Sequence, residues 1–272
     1  MHVHFLDPYR SLTSPVHALD GRVKFVLSVA FILTASLTPL GAWPVYALLL
    51  ALVLSVEILS DLGIGFVWRR ASLALPFVLA ALPIIFTTEG PPLLSVDLGP
   101  LTLTASEDGL GRFVNVAIKS WLSVQAAIIL ASSTPFPELL KAMRAVRVPR
   151  MLVAMFGLMW RYLFILADET LRLMRARAAR SGAPWPVRGR RQARSGGSLA
   201  WRARVTGGMA GNLFLRAFER SERIYVAMLS RGYDGEVRTL ALAPLTRGLR
   251  LILIAGLGLL GLLLGTGLLF WS

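Results

Sequence analysis

Two short segments carry the residues best suited to chemistry with another molecule. Ala179-Arg180-Ser181 and Ser230-Arg231-Gly232 each set an arginine beside small residues where a helical pattern stops. A guanidinium is planar, stays charged at any working pH and pairs bidentately with carboxylates. Each arginine therefore suits a groove lined by acidic groups. The same side chain also suits the negative end of a helix dipole and its free carbonyls. Spacing alone leaves both uses open.

Other reactive side chains are scarce. The chain has no cysteine, which excludes disulfides, thiolate metal sites and cysteine nucleophiles. Its three histidines, His2, His4 and His17, all lie near the N-terminus. His2-Val3-His4 has no third ligand nearby, so a solvated terminus is the simpler reading than a metal site. Lys24, Lys119 and Lys141 are the only lysines, and none follows a glycine, so no Walker A loop can be built. Nothing in this inventory points to an enzyme, a metal ligand set or a bound cofactor.

The elements that must position the two arginines sit in a very apolar chain. Of 272 residues, 55% are hydrophobic, and the mean hydropathy is +0.64. Several runs approach the roughly 20 apolar residues needed to cross a bilayer. Spans are expected at about residues 23–40, 42–59, 71–88 (with Pro76 and Pro83 as kinks), 113–133 and 249–271. The joint 61–70 contains Arg69 and Arg70, and 89–111 reads as a loop with acids but no Lys or Arg. Glu57 is expected to snorkel to the interface, and Lys119 in the fourth span has no evident partner.

The charge is concentrated. Residues 141–238 hold 20 of the 29 Lys+Arg and six of the 15 Asp+Glu, which accounts for the whole net charge of +14. Nucleic acid is a poor explanation, because the aromatics lie in apolar runs rather than among the arginines. Basic residues favour the cytoplasmic side. Arg10, Arg22 and Lys24 place the N-terminus inside, and Arg69 and Arg70 place the second joint there. The acidic loop 89–111 then falls outside, residues 141–238 inside and the C-terminus outside. Residues 151–167 tempt as a further span. Arg161 near the middle would cost about 2.5–3.5 kcal/mol there, so a helix along the membrane is expected instead.

Three helices are expected in this basic part, at about 137–146, 149–179 and 209–230. On the third, Ala210, Leu213, Phe214, Ala217, Ser221, Ile224, Tyr225 and Met228 form one stripe, with Arg216, Glu219, Arg220 and Arg223 opposite. Gly232 occupies a helix-stop position. Residues 183–206, with Arg188, Arg190, Arg191, Arg194, Arg202 and Arg204, read as a loop attractive to anionic lipid. The expected fold class is all-α. It is a polytopic membrane protein with about five transmembrane helices. The divisions are 1–133 (lead-in and four spans), 134–240 (cytoplasmic or interfacial helices) and 241–272 (last span).

The sequence resembles the transmembrane T components of energy-coupling-factor (ECF) transporters, in particular the CbiQ type of cobalt uptake systems. The resemblance is carried by Ser14-Pro15-Val16-His17-Ala18-Leu19-Asp20, Thr134-Pro135-Phe136-Pro137-Glu138-Leu139-Leu140, Val148-Pro149-Arg150 and Trp160-Arg161-Tyr162-Leu163-Phe164. Its most specific part runs from Arg216-Ala217-Phe218-Glu219-Arg220-Ser221-Glu222-Arg223 to Gly232-Tyr233. It implies an L-shaped, non-catalytic coupling subunit in a bacterial or archaeal cytoplasmic (inner) membrane. Arg180 and Arg231, flanked by Ala179, Ser181, Ser230 and Gly232, would enter grooves on two ABC-type ATPase subunits. Pro149, Arg150, Arg161, Arg216, Glu219, Arg220 and Arg223 would support the helices that carry them. ATP and magnesium would be bound by the ATPases, and the cargo by a separate membrane S component. Cobalt rests on the resemblance; nickel or a vitamin remains open, as do a stand-alone carrier and a binder of anionic surfaces.

Overall fold

The computed structural model describes residues 8–98, 101–180, 199–235 and 244–271. Contacts divide the chain into two compact units, Pro8–Val146 with Ala241–Ser272, and Arg147–Leu240 with Met1–Asp7. His2, His4, Ser181 and Arg188 to Arg194 lie outside the described residues.

The first unit begins with a short helix α1 (Pro15–Ala18) and continues with α2 (Gly21–Leu37) and α3 (Trp43–Leu59). Ser14 caps α1 by accepting from the His17 amide, and Asp20 caps α2 by accepting from the Arg22 amide at 2.8 Å. The Arg22 side chain closes back on the same carboxylate, with Nη2 2.9 Å from Oδ2. This pairing, with the backbone bond, holds the Asp20 carboxyl below its usual range. Burial likewise lowers the basicity of His17.

The expected joint and third span together form α4 (Ile64–Ala71), a 3-10 turn, α5 (Leu75–Leu79) and α6 (Ile84–Thr87). Proline removes a helical donor and clashes with the preceding turn, so Pro76 and Pro83 each start a new segment. Arg69 and Arg70 lie in the last turn of α4 rather than in a loop. The true joint is shorter, residues 60–63, where Asp61 and Gly63 both take positive φ.

The acidic loop also differs from expectation. It contains a β-hairpin, β1 (Pro92–Leu98) and β2 (Leu101–Ser106), with Leu98 paired to Leu101 and Val96 to Leu103. Alternating Thr and Leu at 101–104 suits a pleated strand. Helix α7 (Glu107–Ser133) then starts six residues earlier than the apolar pattern suggests. Ser106 caps it by accepting from the Gly109 amide at 3.0 Å, and Glu107 and Asp108 lie in the first turn, where the dipole favours acid. Helix α8 (Phe136–Ala145) packs on α2, and α11 (Arg247–Trp271) completes the unit.

The core lies among α2, α3, α4, α7 and α11. Phe31, Leu49, Val53, Val67, Leu122 and Leu263 are buried in it. Gly256 lets α11 approach α2 closely: a Cβ there would stand 2.6 Å from Leu27 Cδ2. Small residues at such contacts are typical of helices that pack in lipid. Elsewhere leucines of α11 such as Leu251, Leu262 and Leu269 are exposed, as a lipid-facing surface requires.

Two polar residues in the spans depart from expectation. Glu57 does not snorkel; it is fully buried on the core side of α3, and neither carboxyl oxygen has a partner among the described residues. Lys119 has one: its Nζ donates to the Ser36 carbonyl at 2.9 Å, at the C-terminal end of α2. A cation there complements the dipole and fills a free carbonyl.

Four stretches are long and apolar enough to cross a membrane by length and composition: Ile64–Thr87, α7, α11 and a helix of the second unit, α9 (Arg150–Arg180). Helices α2 and α3, at 17 residues each, are about 25 Å long. The protein is an all-α, multi-pass membrane protein with one small hairpin.

Candidate functional site

The second unit is built from two helices of equal length, α9 and α10 (Leu199–Leu229), each 31 residues. Helix α9 opens at Pro149, whose carbonyl accepts from the Leu152 amide at 3.0 Å. The proline ring pre-sets the backbone for a helix start. Trp160 and Phe164, one turn apart, meet edge to face with centroids 5.1 Å apart.

Helix α10 starts ten residues earlier than its apolar stripe suggests. Residues 199–206 are helical, so Arg202 and Arg204 are exposed helical side chains rather than loop arginines. Contacts across the pair explain the extension. Arg177 Nη1 donates to Thr206 Oγ1 at 3.4 Å, and its guanidinium lies 5.8 Å from the Trp201 ring. No proline interrupts the stretch, and Gly207-Gly208 does not end it.

The two helices run antiparallel. Arg177 meets Trp201 and Thr206 at one end. Nearer the other end a cavity is lined by Leu158, Tyr162 and Leu166 of α9 and Ala217, Ile224 and Met228 of α10. Between these lies a three-residue ion pair. Arg220 Nη2 donates to Glu169 Oε2 at 3.0 Å, and Arg216 Nη1 stands 3.6 Å from Oε1. The Glu169 side chain is 17% exposed, against 59% for Arg216. A larger cavity of about 530 Å³ flanks this pair and is lined by Asp168, Glu169, Arg172, Arg216 and Arg220.

This corrects the face assigned to two residues. Arg220 lies on the seam with Ala217 and Ile224, not opposite them, and Arg216 reaches back to the same carboxylate. Phe214 and Tyr225, expected on the packed stripe, are exposed. Arg220 and Arg216 thereby give the mostly buried Glu169 carboxylate its charged partners. Glu219 and Arg223 are exposed, as are Pro149, Arg150 and Arg161. Glu169 itself is the residue that sequence reasoning passed over as an acid suited to the helix dipole. The signal was present: Asp168 and Glu169 are the only acids among the 31 residues of α9.

Arg180 is the last residue of α9 and is exposed, beside exposed Ala179. Helix α10 ends in a Schellman motif. Tyr233 N donates to the Met228 carbonyl and Gly232 N to that of Leu229, both at 3.0 Å. Gly232 has φ +77°, which a side chain rarely tolerates. Ser230 and Arg231 form the turn and both are exposed. Arg180 lies eleven residues beyond Glu169, and Arg231 eleven beyond Arg220. At helical rise each distance is about 16 Å. The two arginines thus project from opposite ends of one antiparallel pair.

In the first unit the segments that carry the resemblance meet one another. Gly21 lies against the next motif: a Cβ there would stand 3.1 Å from Glu138 Cβ and 3.3 Å from Thr134 Cγ2. Lys24 Nζ donates to the Ser133 carbonyl at 2.9 Å, and the Arg10 amide to that of Ser132. The end of α7 is therefore capped by the N-terminal segment. Among the described residues no cluster of three or more His, Cys, Asp or Glu is placed to hold a metal ion.

Comparison with known proteins agrees with this architecture. The chain is 30% identical over 218 residues to the cobalt transport protein CbiQ of Rhodobacter capsulatus, covering 79% of this chain and 83% of that one. It is 28% identical over 176 residues to CbiQ of Salmonella typhimurium, covering 62% of this chain and 72% of that one. It is 28% identical over 235 residues to the energy-coupling factor transporter transmembrane protein EcfT of Thermosediminibacter oceani, covering 83% of both chains. The family model described as cobalt transport protein, CbiQ, matches residues 13–240, the span that contains both arginines and the Glu169 ion pair. The chain belongs to the CbiQ cobalt transport protein family and is a transmembrane subunit of an ECF-type transporter.

Proposed function

We propose that this chain is the coupling subunit of an ATP-driven cobalt importer. It passes the closure of two ABC-type ATPase subunits to a membrane S component that binds the cargo. ATP and magnesium belong to the ATPases. The observation that carries the reading is the antiparallel pair α9–α10, held at Glu169 and Arg220, with one exposed arginine at each far end. Sites separated by roughly 30 Å suit two partners better than one. A guanidinium at a helix end can pair bidentately with a carboxylate in each. The motion is a rigid-body change of the helix pair driven from its ends. Helix α9 stays on the cytoplasmic side in this reading, because Arg161 and the arginines beyond it favour that side. The N-terminus is then inside and the C-terminus outside, in a bacterial or archaeal inner membrane.

The test is co-expression with candidate ATPase and S subunits. Wild type is compared with Arg180→Glu plus Arg231→Glu by co-purification and ATP-dependent cobalt uptake. The double variant should insert normally, lose ATPase association and lose uptake. Normal assembly and uptake would return both arginines to helix capping and remove the proposal. A second reading keeps the mechanism and changes the cargo to nickel or a vitamin. It is favoured by the similarity to EcfT, whose name specifies no substrate. Competition of uptake by nickel or by vitamins separates the two.

A further inference from the structure

The first unit contains a cavity of about 290 Å³ between α2, α3, α7 and α11, with Val16 of α1 also in its lining. Most of its wall is apolar, with Leu27, Phe31, Leu52, Val56, Ile129 and Leu259 among the lining residues. Its polar lining is Lys24, Ser28 and Ser133. Lys24 lies in the first turn of α2 and is 6% exposed. Among the described residues its ammonium makes one hydrogen bond, to the Ser133 carbonyl. Among the described residues no carboxylate stands within ion-pair distance of it. Asp20 is already held by Arg22, and Glu138 attracts Lys24 only from further away. Ser133 is 2% exposed, and its hydroxyl has no partner among the described residues.

These groups describe an occupant. A buried ammonium has three donors, and here one is filled. Its free donors are satisfied by an anionic oxygen. The walls ask for the opposite: they are apolar, belong to helices that stand in hydrocarbon, and offer water too few polar partners. Only an amphiphile meets both demands, and the bilayer supplies one. We infer that this cavity seats one anionic phospholipid, an acyl chain lying among α2, α3, α7 and α11 with a phosphodiester oxygen on Lys24 Nζ. Gly256 helps keep the space open, since a side chain there would push Leu27, which lines the cavity.

The site differs in kind from the arginines of residues 183–206, which would attract anionic lipid additively and without a cavity. The test is native mass spectrometry of the full chain, delipidated in detergent and titrated with phosphatidylglycerol or phosphatidylcholine. Wild type should retain one phosphatidylglycerol at least tenfold more tightly than phosphatidylcholine. Lys24→Met should erase that preference. Val56→Phe fills the cavity without touching the Lys24 hydrogen bond and should reduce retention of both lipids about tenfold. An unchanged preference in Lys24→Met, or unchanged retention in Val56→Phe, overturns the inference. In the assembled transporter, a photo-crosslinking residue at position 56 should label lipid. Labelling of another subunit instead would mean that a protein helix fills the cavity, and the inference fails.

Discussion

The α2–α3–α7–α11 bundle and the α9–α10 pair are both made of long helices, yet they are held together by opposite means. In the bundle, Leu49, Val67 and Leu122 are sealed in a common core, and helix ends are tied by side chains that reach backbone carbonyls: Lys24 to Ser133 and Lys119 to Ser36. In the pair, none of the described residues of α10 is fully buried. Its seam holds a cluster of charge, Glu169 with Arg216 and Arg220. Dense packing resists small displacement because many contacts must change together. An ion pair between partly exposed side chains adds little stability. The bundle is held by its apolar core, and the pair has charge on its seam.

Substitutions can break or sharpen that contrast. The largest effect is expected from Leu49→Ala, which empties a fully buried site in the bundle and should cost about 2–5 kcal/mol. Thermal unfolding in detergent would read it. A change below about 1 kcal/mol would mean that the bundle is as loose as the pair. Gly232→Val comes next, because a β-branched residue at φ +77° is strained by about 1–2 kcal/mol. That cost should stay local. Hydrogen exchange should rise at residues 228–233 with the main unfolding transition unmoved, whereas a shift of the whole transition would show the two regions to be one cooperative unit.

Asp20→Ala should remove about 1 kcal/mol through the lost cap of α2. The pH dependence has a definite sign. The folded-state pKa of Asp20 is depressed, so its contribution is present above the ordinary aspartate pKa and is lost as pH falls through the lower folded value. The variant should therefore lack part of the acid-side loss of stability seen in wild type. The smallest effect on stability is expected from Glu169→Gln, within about 1 kcal/mol. Cysteine cross-linking between residues 162 and 224 should nevertheless become less selective, because the pair loses its only described ionic tie. A large drop in melting temperature would sink the view that this ion pair adds little stability.

Much of this was readable in the sequence where the signal is local. The apolar runs, Asp20 before α2, Pro149 before α9 and Gly232 after α10 each act within a few residues, and each element forms close to where they place it. Signals that depend on distant partners were not readable. Arg220 and Glu169 are 51 residues apart in sequence, so the apolar stripe of α10 was read without the charge that turns Arg220 inward. Lys119 meets Ser36 across 83 residues, and Lys24 meets Ser133 across 109. Glu57 failed for a related reason: its position near the end of α3 suggests an interface, but the face it shares with Val53 points into the core. The β-hairpin is short, and its apolar residues resemble the flank of a span.

The equal spacing of Arg180 and Arg231 from the Glu169–Arg220 contact has a mechanical consequence. Treated as a rigid lever pivoting at that contact, the pair has a transmission ratio of one. A turn of about 10° displaces each terminus by about 3 Å, and torque applied at either arginine returns undiminished at the other. Two identical motors could drive such a device without one dominating. Lengthening either helix by one turn beyond the pivot would give one motor the larger stroke.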